Sequence, residues 1–221
     1  SLVHEVPKPL APINGKPFLT LLLETLKKND FHQVILLTGY KHELIEKAYG
    51  DGSDFGLKIT YSQESSPLGT AGALKLAENY LSSEKNFLLL NGDSYCPEAI
   101  AALKNTSLNP NENIIAVSKV DDASRFGTIS FDPTTKKIIS FSEKVKNHCG
   151  FVNAGVYRLN HEIFEYIPSE QALSLEQDIF PDLLNRNIAF YAELIDYTFS
   201  DIGTPESYLE FVDQQRNAKD L

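Results

Sequence analysis

Hydrophobic positions along the chain fall into two regimes. In the first half, short apolar runs alternate with stretches of helical period. Phe18, Leu19, Leu22, Leu23 and Leu26 recur at helical spacing, with Pro17 suited to the first turn and Lys27-Lys28 complementing the C-terminal dipole. Residues 34–38 predict a short buried strand, 41–49 a helix ended by Gly50-Asp51-Gly52, 57–61 an alternating strand and 70–81 a helix. Residues 87–90 have no polar face, which predicts a central strand covered on both sides. In the second half the strands crowd together, at 113–120, 127–131, 138–141, 151–159 and 188–195, with a hairpin turn at Asp132-Pro133-Thr134-Thr135-Lys136 and a closing helix over 205–215. Alternation of strands and helices implies a right-handed, doubly wound α/β sheet that becomes mixed in its second half.

Composition narrows the function classes. At 221 residues, 42% hydrophobic and 23% charged, the chain reads as an ordinary globular protein with a substantial core. No apolar run approaches the roughly 20 residues that span a bilayer, so no membrane partner is expected. The net charge of −10, with no basic run, argues against nucleic acid as a partner. Cys96 and Cys149 are isolated, without metal-ligand spacing, and fit a reducing cytoplasm.

Two carboxylates stand out. Asp93 ends the run Phe87-Leu88-Leu89-Leu90-Asn91-Gly92-Asp93, and Asp201 ends Tyr197-Thr198-Phe199-Ser200-Asp201. Ligands of open α/β sheets bind at the carboxyl ends of strands. Two Asp residues converging there make a hard-cation site suited to Mg²⁺ against phosphates; the plainer reading is a pair of turns. Pro67-Leu68-Gly69-Thr70-Ala71-Gly72-Ala73 joins a strand to a helix, where small residues either admit a flat ligand or pack the turn. Lys8 sits in a proline frame, Glu143-Lys144 follows a strand, Arg125-Phe126-Gly127-Thr128 opens one, and Asn153-Ala154-Gly155 interrupts another. A glycine inside a strand marks a bulge or a close approach. The five histidines match no nucleophile pattern and receive no role.

Taken in order, Val6-Pro7-Lys8-Pro9-Leu10, Pro67-Leu68-Gly69-Thr70-Ala71-Gly72, Leu90-Asn91-Gly92-Asp93, Phe126-Gly127-Thr128-Ile129, Glu143-Lys144, Asn153-Ala154-Gly155 and Asp201-Ile202-Gly203-Thr204-Pro205 resemble the sugar-1-phosphate nucleotidylyltransferases over essentially the whole chain. The resemblance is nearest to the short guanylyltransferases of D-glycero-D-manno-heptose 1-phosphate, with the mannose-1-phosphate enzymes as the alternative. It implies a Rossmann-like nucleotidyltransferase fold with a mixed, mainly parallel central sheet. One domain of 1–221 would hold a nucleotide-binding half, 1–110, and a sugar-phosphate-binding half, 111–221.

The implied reaction joins a nucleoside triphosphate, GTP before others, to a sugar 1-phosphate, for cytoplasmic nucleotide-sugar supply to cell-envelope glycans. Asp93 and Asp201 would hold Mg²⁺ and Lys8 would neutralise the α-phosphate, making these three the catalytic set. Leu68, Gly69, Thr70, Gly72, Asn91 and Gly92 would bind nucleotide, and Gly127, Glu143, Lys144 and Asn153 the sugar phosphate. Glu176 either faces the sugar or caps a helix. Homo-oligomerisation stays open. The resemblance also leads us to expect a strand and a Gly-rich loop ahead of Ser1. Without them the apolar strands 34–37 and 87–90 would flank a slot, and a non-catalytic sugar-nucleotide-binding or regulatory subunit becomes the second reading. A glycosyltransferase is a third, disfavoured because Asp93-Ser94-Tyr95 lacks a second Asp.

Overall fold

Proline and glycine spacing shape the entry into the fold. Lys8–Leu10 makes a single 3-10 turn, closed by Leu10 N–H on the Pro7 carbonyl at 2.8 Å and Ala11 N–H on the Lys8 carbonyl at 2.9 Å. The computed structural model describes residues 6–106, 112–142, 149–196 and 199–217. A short hairpin of β1 (Pro12–Ile13) and β2 (Lys16–Pro17) turns at Asn14-Gly15, both at positive φ, the backbone an Asn-Gly hairpin turn requires.

Helix α1 (Phe18–Lys28) buries the five apolar residues its periodicity singles out. There follow β3 (Gln33–Thr38), α2 (His42–Tyr49), β4 (Lys58–Gln63), α3 (Gly69–Leu76), β5 (Asn86–Leu90), β6 (Ser94–Tyr95) and α4 (Pro97–Asn105). The second half supplies β7 (Asn113–Val120), β8 (Thr128–Phe131), β9 (Ile138–Ser142), β10 (Gly150–Asn160), α5 (Phe180–Asn185), β11 (Phe190–Ile195), β12 (Ser200–Asp201) and α6 (Pro205–Asn217). The helix expected over 70–81 is divided: α3 stops at Leu76 and a separate 3-10 turn spans Glu78–Leu81. Helix α4, with Pro97 at its first position, was not among the expected elements.

The main sheet runs β11-β7-β10-β8-β9, with β5 also paired to β10. Only β11–β7 is parallel; β7–β10, β5–β10, β8–β10 and β8–β9 are antiparallel. The mainly parallel sheet is therefore corrected to a mixed, mostly antiparallel one. The hairpin β8–β9 is antiparallel because a short turn joins it, whereas β10 runs antiparallel to β5, β7 and β8 across longer stretches of chain, and parallel pairing needs a long crossover.

A second correction concerns which strand is central. Strands β7 and β10 hold that place, with residues 113–118 and 154–160 buried. Strand β5 buries only Phe87 and leaves Leu88, Leu89 and Leu90 half-buried. Among the described residues β5 pairs with β10 alone, β3 pairs in parallel with β4 alone, and no ladder joins β3 to β5.

Alternation along β7 and β10 divides the core. Ile115, Val117, Tyr157 and Leu159 pack with Leu74 of α3 and Phe180 and Leu183 of α5. Ile114, Ala116, Val152, Ala154 and Val156 face the other way, against Ala99, Ile100 and Leu103 of α4. A third cluster joins α1 to Ile45, Ile59 and Phe211. Helices thus cover both faces of the sheet, and the β5–β10 and β6–β12 ladders cross between residues 1–110 and 111–221.

Candidate active site

The segments that carry the two aspartates lie side by side because two short strands pair. Strand β6 follows the Asn91-Gly92-Asp93 turn, and β12 runs antiparallel beside it with Asp201 opposite Ser94 and Ser200 opposite Tyr95. The Ile202 N–H donates to the Asp93 carbonyl at 2.8 Å, so the ribbon continues by one more pair, Asp93 beside Ile202. Backbone positions 108 residues apart thereby become neighbours. Each carboxylate already faces a cation. Lys8 Nζ lies 3.7 Å from Asp93 Oδ2, and Arg125 Nη2 lies 3.1 Å from both Asp201 oxygens. Asp201 Oδ1 also accepts from the Gly203 N–H at 2.8 Å and the Ser207 hydroxyl at 3.3 Å, just ahead of α6, whose N-terminal dipole favours a carboxylate.

Beside the ribbon, β10 bulges. Its pairing with β7 slips between Asn153 and Tyr157, and Gly155 takes φ +75°. A β-carbon there would lie 2.8 Å from Ser94 Cβ and 3.1 Å from Asn91 Nδ2. Gly155 is therefore both a bulge and a close approach, since the backbone passes against the turn that carries Asp93. The Gly155 carbonyl accepts from Asn91 N–H at 2.8 Å, and Asn153 Oδ1 accepts from Gly155 N–H at 2.9 Å. The bulge keeps Asn153 on the face of Tyr157. Asn153 Nδ2 donates to Glu176 Oε1 at 2.6 Å, as does the Tyr157 hydroxyl at 2.7 Å. Burial first, then the nearby Glu176 charge, push the Tyr157 phenol well above the ordinary tyrosine range, so it stays a donor. Glu176 lies on a single π-helical turn, Leu175–Ile179, a feature frequent at functional sites.

The Leu68-Gly69-Thr70-Ala71-Gly72 turn is packed by protein. A β-carbon at Gly69, which has φ +66°, would meet the Leu173 carbonyl at 2.4 Å, and one at Gly72 the Gln171 carbonyl at 2.4 Å. Ala71 N–H donates to the Leu173 carbonyl at 2.9 Å, and the Thr70 hydroxyl accepts from Leu175 N–H at 2.8 Å. The space both glycines leave is taken up by the segment leading to Glu176. The open side of the turn faces Glu64, whose Oε2 accepts from Leu68 N–H at 2.9 Å and whose Oε1 lies 2.5 Å from where a β-carbon of Gly39 would be.

Gly92 lies near the proline frame of Lys8, with Pro9 Cγ 3.9 Å from its would-be β-carbon. Gly127 abuts the Ser142 carbonyl, 3.1 Å from its own. Glu143 and Lys144 lie outside the described residues. Cys96 is buried, which pushes its thiol up to about 11 and leaves it unreactive. A cavity of about 150 Å³ between Asn113, Asn160 and Tyr166 lies at the opposite end of β10 and shares no residue with this site. Among the described residues no group of three or more His, Cys, Asp or Glu could hold a metal. A cation here would have two protein carboxylates and take its other oxygens from substrate and water, which is how Mg²⁺ is commonly bound beside phosphates. The donor set fits, since each carboxylate already accommodates a positive group.

The nucleotidyl transferase family model matches residues 1–218. The chain belongs to that family. This sugar-1-phosphate nucleotidylyltransferase is 36% identical to the D-glycero-alpha-D-manno-heptose 1-phosphate guanylyltransferase of Campylobacter jejuni, over 96% of this chain and 92% of the relative. It is 37% identical to the enzyme of the same name from Aneurinibacillus thermoaerophilus, over 94% and 89%. Among solved structures it resembles HddC from Yersinia pseudotuberculosis complexed with GMP-PN, at a TM-score of 0.84 and 32% identity over 96% of this chain and 91% of that one. No described helix of this nucleotidylyltransferase is long and apolar enough to cross a membrane.

Sequence reasoning missed Glu64, Tyr157 and the partnership of Arg125. The first two had signals. Glu64 ends an alternating strand just before a ligand-type turn, and Tyr157 is the one residue with a polar tip in an apolar run that repeats the face of Asn153.

Proposed function

We propose that this enzyme joins GTP to D-glycero-D-manno-heptose 1-phosphate. A phosphate oxygen of the sugar 1-phosphate attacks the α-phosphorus, an O–P bond forms as the bond to the β-phosphate oxygen breaks, and pyrophosphate leaves. The observation that carries the reading is the β6–β12 ribbon, which sets the backbone of Asp93 diagonally next to that of Asp201, with Lys8 paired to Asp93. In this reading Asp93 and Asp201 hold Mg²⁺, which when bound supplies positive charge to the phosphate oxygens. Lys8 adds a second positive charge at the α-phosphate and draws the triphosphate toward Asp93. Catalysis of this kind is mostly positioning and charge stabilisation, and the frame formed by Asn91, Gly92 and Gly155 supplies the positioning.

Leu68, Gly69, Thr70 and Gly72 shape the base site through their packing on residues 171–175, and Glu64 supplies its acceptor. Guanine presents two donors side by side, N1–H and N2–H, whereas uracil and thymine present one and cytosine none at the ring nitrogen. A carboxylate at this position therefore supports GTP. A pyrophosphate-release comparison of GTP, UTP, CTP and dTTP with heptose and mannose 1-phosphates tests the reading. We expect GTP with the heptose to give the highest kcat/KM, and faster turnover with UTP or dTTP would overturn the base assignment. Glu64→Gln should narrow the preference for GTP by about tenfold or more, the scale of one charge-assisted hydrogen bond.

Asn153 and Glu176 face the sugar in this reading, joined by Gly127 and by Glu143 and Lys144. Because Tyr157 and Asn153 both donate to Oε1 of Glu176, its other oxygen is held ready for a hydroxyl. Tyr157→Phe removes one donor, about 1 kcal/mol. The KM for the sugar 1-phosphate should rise about fivefold with little change for GTP. An equal rise for both substrates would place the network outside the sugar site.

A further inference from the structure

Arg125 has no part in the scheme above, yet it makes the closest cationic contact in the site. Its Nη2 sits 3.1 Å from each oxygen of Asp201 and 3.3 Å from the Ser207 hydroxyl. The residue is held from behind. Its guanidinium carbon lies 5.4 Å from the Phe126 ring centre, and Phe126 packs edge-on to Phe199, one residue before β12. Phe126 N–H closes the loop on the carbonyl of buried Ala123 at 2.9 Å. The loop base is thus tied to the strand that carries Asp201, while the arginine side chain is 44% exposed and free to leave.

The carboxylate is unevenly engaged. Oδ1 accepts from Gly203, Ser207 and Arg125, but among the described residues Oδ2 accepts from Arg125 alone. Gly203 and Ser207 fix the carboxylate whether or not the arginine is there. The guanidinium covers the oxygen that a cation would take, and the side chain of Asp201 is only 16% exposed beneath it.

We propose that Arg125 is an internal counter-ion exchanged for the divalent cation: it holds Asp201 until metal and phosphate arrive together, then moves from the carboxylate to the incoming phosphate. This rests on the reading of Asp93 and Asp201 as the metal site. The physical reason is charge balance. A cation entering alone must displace a guanidinium that gains no new partner, so metal without nucleotide binds weakly. A cation entering with phosphates offers the displaced guanidinium two oxygens of one phosphate, which it pairs with as well as with a carboxylate. Metal and substrate binding are thereby coupled, and the coupling is reciprocal.

Titration with Mn²⁺ read by electron paramagnetic resonance, with and without a non-hydrolysable GTP analogue plus sugar 1-phosphate, tests the exchange. In Arg125→Gln the affinity for Mn²⁺ alone should rise roughly threefold to fivefold, the strength of an exposed ion pair released. The further tightening caused by substrates should shrink, and the KM for sugar 1-phosphate should rise severalfold. Arg125→Lys, which keeps the charge but not the fork, should fall between wild type and Arg125→Gln. Unchanged or weaker Mn²⁺ binding by Arg125→Gln with undiminished coupling would overturn the exchange. Asp201→Asn separates the two ideas. If it loses Mn²⁺ while Arg125→Gln behaves as wild type, the metal site stands and the exchange falls. If Asp201→Asn and Asp93→Asn both retain Mn²⁺ under every condition, the metal site and the exchange fall together.

Discussion

Asp93→Asn and Asp201→Asn should each lower turnover by about two orders of magnitude or more, the scale of removing one strong transition-state contact. Asparagine keeps the shape and one acceptor oxygen but removes the charge. At Asp201 the retained oxygen still accepts from Gly203 N–H, so the start of α6 keeps its geometry. At Asp93 the side chain pairs, among the described residues, with Lys8 alone at 3.7 Å, an exposed contact of small energetic weight. Both variants should therefore melt close to wild type while losing activity. Pyrophosphate release at saturating Mg²⁺, with thermal melts alongside, checks this. Near wild-type turnover in both would remove the aspartate pair from the chemistry.

Gly155→Ala has the largest expected effect on stability. At φ +75° a side chain costs about 1–2 kcal/mol. The new methyl would also lie 2.8 Å from Ser94 Cβ, an overlap that forces backbone shifts costing about 1–3 kcal/mol. The sum is about 2–5 kcal/mol, a drop in Tm on the order of 10 °C for a chain of this size. Because the shift falls on the turn that carries Asp93, activity should fall even where the protein stays folded. Gly15→Ala is the control: φ is +88°, but nothing lies within 4 Å of the new carbon, so only the conformational cost applies. Calorimetric melts that place the two variants at the same Tm would show that the approach of β10 to Ser94 carries no energy.

Much of the candidate site was legible because its residues sit where local chemistry is restrictive. Asn91-Gly92-Asp93 and Asp201-Ile202-Gly203 end strands, Pro7 and Pro9 frame Lys8, and Gly155 interrupts an apolar run. The glycines of the Leu68–Gly72 turn left two readings open, a flat ligand or a packed turn. Their closest neighbours are the carbonyls of Gln171 and Leu173, a contact from about a hundred residues away that no local pattern encodes. Glu176 was visible as a choice between cap and ligand. Its two donors from β10 became visible only once the π-helical turn was docked.

The sequence by itself determined the helical period of α1, the Asn14-Gly15 turn, the apolar strands and the identity of both aspartates. These follow from side-chain chemistry and local backbone preference, which act within a few residues. Only the tertiary structure decided which strand lies beside which. An unbroken apolar run such as β5 shows that a strand is buried somewhere, but ladders are made by backbone groups common to every residue, so direction and neighbour are left open. The same holds for charge. Arg125 and Asp201, 76 positions apart, become partners because the loop ahead of β8 packs against the residue ahead of β12, Phe126 edge-on to Phe199, and that packing is a property of the whole core.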